Sequence, residues 1–115
     1  YFNNSSLVTR IYTEDYSALF TGDIGKEGTN LMTDVYGDYL KSDICQAAHH
    51  GVEDFTIETY RIIRAAIWFY PCNNSLYNLT NRDREVRDEI KNAEYTEKIY
   101  LHDRRGDRPQ ASLNK

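Results

Sequence analysis

Phe20-Thr-Gly-Asp-Ile-Gly25 and, two dozen residues on, Ala47-Ala-His-His-Gly51 bracket the stretch that decides how this chain is read. The first segment is an apolar residue running into a glycine-rich acidic turn. The second is an apolar run ending in a histidine pair. Between them, residues 29 to 48 carry a helical period followed by a short apolar strand. In a β-α-β unit both strands run the same way, so the residues just past their carboxyl ends share one sheet edge, where ligands of open α/β sheets collect. Asp23 and the pair His49-His50 are therefore expected at that edge.

Working outward, Leu7–Tyr12 and Tyr16–Phe20 are rich in β-branched and aromatic residues and flank a short polar turn, which predicts a β-hairpin. Gly22, Gly25 and Gly28 punctuate the next eight residues, and Thr29 or Asn30 is placed to cap a helix. Leu31, Met32, Val35, Tyr36, Tyr39 and Leu40 form the apolar stripe of that helix, which Gly37 weakens. Ser42–Ala48 fits a buried strand. Glu53-Asp54 lead into a second helix with Phe55, Ile57, Tyr60 and Ile63 on its apolar face. Ala65–Tyr70 reads as a third buried strand, stopped by Pro71. After an irregular stretch from Cys72, Asn81 or Asp83 begins a charged helix, with Val86 and Ile90 inward. Lys98–His102 is a last strand, and residues 104–115 read as a polar tail following a domain that spans 1–103.

The expected order is β-β-α-β-α-β-α-β, an α/β fold with parallel pairs and crossover helices. If all the helices lie on one face, the other face is apolar and needs a partner layer. The 115 residues are enough for one domain. Lacking an initiator Met and opening almost directly on an apolar segment, the sequence reads as a fragment of something longer.

Composition excludes several classes. A net charge of −4 argues against a general nucleic-acid binder, and the late basic residues Arg104, Arg105 and Arg108 read as a solvated tail. No apolar run is long enough to span a membrane, and no signal peptide opens the chain. Cys45 and Cys72 make no disulfide framework, and Cys45 reads as a small buried hydrophobe. Asn-x-Ser/Thr triplets at Asn3, Asn4, Asn73 and Asn78 arise readily in Asn-rich loops, so the compartment stays open.

A carboxylate and imidazoles at one edge are suitable ligands for zinc, manganese or iron. Singly, an Asp in a turn usually caps or solvates, and a His pair in a loop is usually surface. Their coincidence at matching strand ends is what points to a metal. Two ligands still fall short of the three or more that a catalytic site requires.

Ser6-Leu-Val8, Ala18-Leu-Phe-Thr-Gly-Asp-Ile24, Leu40-Lys-Ser-Asp-Ile44 and His49-His-Gly51 together resemble the metallo-β-lactamase superfamily. More narrowly they resemble the branch containing the hydrolase domain of DNA-uptake competence proteins and phosphorylcholine-esterase-like enzymes. The resemblance implies an αββα sandwich with a dinuclear metal site between two similar halves, this chain being the carboxyl-terminal half. It implies that Asp23 bridges two ions, zinc foremost with manganese or iron as alternatives, and that His50 binds one of them. His49 would touch substrate or steady its partner. The His-x-His-x-Asp-His motif belongs to the other half, so this segment alone would be inactive. The partners implied are that amino-terminal half and a phosphodiester or other small ester substrate. Val52 and Pro71-Cys72-Asn73-Asn74 depart from the branch, which usually has a small hydroxyl residue and a Gly-His-Pro-like segment there. A non-catalytic scaffold that homodimerises through its exposed sheet face is the alternative expectation.

Overall fold

The computed structural model describes residues 7–48, 56–72, 77–78, 84–102 and 109–113, the last five by their backbone. One mixed sheet organises them. Strands β1 (Thr9–Tyr12), β2 (Ser17–Phe20), β3 (Ile44–Gln46), β4 (Ile67–Tyr70), β5 (Lys98–His102) and β6 (Pro109–Leu113) lie side by side in chain order. The two outer pairings are antiparallel, and β2 to β5 are parallel. Helices α1 (Lys26–Tyr36), α2 (Ile57–Ile63) and α3 (Arg84–Asn92) make the crossovers. The expected α/β order is present, with one strand added at its end.

Each parallel strand sits beside the one before it, so crossovers of one hand stack every helix on the same face. Burial shows the result. The register aligns Leu19, Cys45, Trp68 and Ile99 in one row across four strands, and all are at most 1% exposed. Their neighbours one residue earlier, Ala18, Ile44, Ile67 and Lys98, point the other way and keep solvent contact. Phe20, Gln46, Phe69 and Tyr100 form a second such row. Phe20 remains 44% exposed and Ile44 37%. Among the described residues the helix layer covers one side of an apolar sheet and leaves the other open.

Trp68 anchors the covered side. Its ring meets Tyr60 of α2 edge-on at 5.1 Å, and its Nε1–H donates to the Ala65 carbonyl at 2.8 Å. A threonine cluster joins α1 to α2: Thr33 Oγ1 lies 2.6 Å from Thr59 Oγ1, which lies 2.8 Å from Thr56 Oγ1. Arg61 of α2 forks onto Glu89 of α3, Nε and Nη2 donating at 2.8 and 2.7 Å.

Four expectations are corrected. Thr29 does not cap α1, which starts at Lys26 after Gly25. Its hydroxyl instead donates back to the Gly25 carbonyl at 2.7 Å, the local bond open to a threonine inside a helix. The helical stripe does not run unbroken to Leu40. Gly37 takes φ 47°, its N–H donates to Thr33 O, and the chain tightens into a 3-10 turn over Gly37–Leu40. The strand expected over Ser42–Ala48 narrows to Ile44–Gln46, because Ser42 N–H is taken by the Ile63 carbonyl. The polar tail expected over 104–115 contains β6, whose backbone pairs with β5 across a register shift at Leu101/His102. Pro109 fits there because an edge strand can lack a ladder donor. The helix starts expected at Glu53-Asp54 and at Asn81 or Asp83 lie outside the described residues.

Candidate functional site

The carboxyl edge of the parallel strands is built from two consecutive strand ends. Phe20 and Gln46 are register partners at the last positions of β2 and β3. Asp23 is the third residue after Phe20, and His49 is the third after Gln46. In sequence, Asp23 and His49 thus follow register-paired strand ends at the same interval. Asp23 is placed there, exposed, on the described backbone. His49 and His50 lie outside the described residues. The chain approaches them through Ala47 and Ala48, both fully buried, with Ala47 N–H donating to Phe69 O at 2.8 Å.

The Asp23 turn is held from below by β3. Thr21, fully buried, donates its hydroxyl to the Gln46 carbonyl at 2.8 Å. Gln46 Oε1 accepts the Gly22 N–H at 3.1 Å, while its Nε2 donates to Ala47 O at 3.1 Å. Ile24 N–H closes the turn on Thr21 O at 3.3 Å. Gly22 at φ 59° is followed by an Asp23 of ordinary negative φ, the pattern of a turn that needs glycine at its first central position. The carboxamide of Gln46 thus connects the two strand ends and aims Asp23. Sequence reasoning missed it, because a glutamine on a strand looks like any solvent-facing residue.

Asp43 performs a similar task at the opposite end of the same strands. Its carboxylate accepts the Ser17 N–H at 2.8 Å and the Ser17 hydroxyl at 3.3 Å, and its own N–H donates to Ser17 O at 3.0 Å. That lock fixes the β2–β3 register.

The cysteines take no part as thiolates. Both are free and buried. Burial pushes the Cys72 thiol up to about 11 and raises Cys45 further, so both stay protonated near neutrality. Cys72 follows β4 at the same edge, its carbonyl accepting the His102 N–H at 2.9 Å. Arg87, a nearly fully buried cation on α3, lies over the Tyr77 ring at 5.5 Å and partly offsets the rise at Cys72. Its inward position was readable, since Arg87 lies on the Val86/Ile90 stripe of the helix.

Among the described residues no group of three His, Cys, Asp or Glu is close enough to hold a metal. At the edge in question they include the carboxylate of Asp23; a carboxylate with imidazoles, the residue types of Asp23, His49 and His50, would suit zinc, manganese or iron. Also among the described residues, no helix is long and apolar enough to cross a membrane.

The chain is similar to ComE operon protein 3 of Bacillus subtilis (strain 168), at 38% identity over 58 residues. The matched stretch is 50% of this chain and 7% of that protein. No family profile and no solved structure matches significantly.

Proposed function

We propose that this chain is the carboxyl-terminal half of a metallo-β-lactamase-like αββα sandwich belonging to a metal-dependent hydrolase. Asp23 and His50 would hold the metal, and His49 would stand beside the substrate. The observation that carries this reading is the register pairing of Phe20 with Gln46, since Asp23 and His49 each stand three residues further along the sequence. The one-sided helix layer supports it, since the open apolar face is the side a second half would cover. The partial likeness to ComE operon protein 3 is in keeping with the resemblance to competence proteins. When bound, the metal supplies a hydroxide nucleophile at neutral pH for attack on a phosphodiester or other ester. The chain by itself lacks most of the ligands and is inactive. Metal analysis of the full-length protein and of this chain tests the reading. The full-length protein should hold stoichiometric zinc, manganese or iron that Asp23→Ala depletes. A folded full-length protein without such metal would sink it.

A second reading, a scaffold without chemistry, draws on the open sheet face itself. Phe20, Ile44, Ile67 and Phe69 could seat a second copy and complete a sandwich as a homodimer. Sedimentation separates the two: a monomeric chain that binds no hydrophobic dye removes this reading.

A further inference from the structure

Among the described residues nothing pairs with the outer edge of β1. Thr13 N–H donates to Tyr16 O at 2.7 Å, which makes that couple a hydrogen-bonded pair of the hairpin. Antiparallel pairs alternate, so Ile11 and Thr9 bond to Ala18 and Phe20, while the N–H and C=O groups of Arg10 and Tyr12 point away from the sheet. β1 ends the strand order, and no backbone hydrogen bond engages those outward groups among the described residues.

Beside this edge, on the helix side, a groove of about 520 Å³ runs between β1 and α1. Buried Leu19, Met32 and Leu40 form its floor, and Leu31, Val35 and Tyr39 form a rim that is at least 60% exposed. Arg10 alone among the lining residues carries charge. Its guanidinium sits 5.3 Å from the Tyr12 ring centre and 4.9 Å from that of Tyr39, with Nη2 donating to the Lys41 carbonyl at 3.1 Å. Its Nε–H is buried without an acceptor, and no carboxylate meets it among the described residues.

We propose that β1 and this groove form a docking site for an extended segment of a partner protein. The segment adds as a strand against β1, sets apolar side chains into the groove at alternate positions, and brings one carboxylate to Arg10. Strand addition uses the free backbone groups for affinity and the groove for specificity. A strand's two-residue repeat sends every second side chain to the groove side. Charge selects a partner other than a second copy: Leu7 to Thr13 contains no acidic residue, so another β1 would leave Arg10 unanswered.

The test uses three blocked octapeptides of alternating valine and threonine. One carries a central Asp on the groove side, its twin carries Asn there, and a third is the Asp peptide N-methylated on the amides that face β1. Amide hydrogen exchange by NMR reads the edge. The Asp peptide should slow exchange at Arg10 and Tyr12 and leave the β4 amides unchanged. Asn in the peptide, or Arg10→Gln in the protein, should weaken binding about tenfold, as loss of a charge-assisted bond does. N-methylation should abolish the slowing, an outcome that does not depend on how the Arg10 variant folds. No slowing at Arg10 and Tyr12, or equal slowing by the Asp and Asn peptides, would overturn the proposal. Protection that rises with protein concentration in the absence of peptide would overturn it in favour of self-pairing.

Discussion

Asp23 depends on its neighbours for position, and Gln46 and Gly22 are the residues that test this. Gln46→Ala removes the acceptor for the Gly22 N–H and the side-chain tie between the strand ends. The expected cost is about 1 kcal/mol in denaturant unfolding, with faster hydrogen exchange at Gly22. Gly22→Ala forces a side chain to φ 59° and should cost about 1–2 kcal/mol by the same measurement. Unchanged stability in both would show that the turn is not held as described. The thiols and phenols set an alkaline limit. Burial raises Cys72 from 9.0 to about 11 and Tyr77 from 10.0 to about 12, so the folded state keeps protons the unfolded chain releases. Their contribution is whole below about pH 9 and is lost as pH rises toward 12. Cys72→Ala should flatten the stability profile between pH 9 and 11, and an unaltered slope would contradict the assignment.

At the scale of elements, the contacts between α1, α2 and β4 hold the covered side together. Thr59 is fully buried and lies within hydrogen-bonding distance of both Thr33 and Thr56. Thr59→Val keeps the shape and removes the hydroxyl facing Thr56 and Thr33, the latter keeping its bond to the Thr29 carbonyl, for an expected loss of about 1 kcal/mol. Trp68→Ala opens the centre of the core and should cost about 3–5 kcal/mol. Thermal or denaturant unfolding of the two variants checks that order. The strands and helices around these residues were legible, because β-branched runs, glycine punctuation and helical spacing all agree there. What failed was local. Thr29 has the chemistry of a cap, but its hydroxyl turns back to Gly25 within the helix. Strand β6 carries Pro109, Gln110 and Ser112 and no β-branched residue, so its pairing with β5 leaves no periodic trace in the sequence. In the candidate site, Asp23 was legible from its place after a strand. Gln46 and Asp43 were not, since only the register reveals what their side chains reach.

For the whole molecule, asymmetry is the main fact. Among the described residues the helices cover one side of a six-stranded sheet, and the other side presents Phe20, Ile44, Ile67 and Phe69. A face of that composition normally lies against another layer, which under the proposed function would be the other half of the same domain. Under the proposed function the carboxyl edge, where Asp23 stands, would form half of a metal site. The most direct test is a zinc titration of this chain followed by NMR of its side chains, with Asp23→Asn alongside. Weak but specific binding is expected: the Asp23 carboxylate and His50 imidazole signals move together, His102 stays still, and Asp23→Asn removes the histidine response. Zinc that leaves His50 unmoved, or moves it equally in Asp23→Asn, would contradict a shared metal edge.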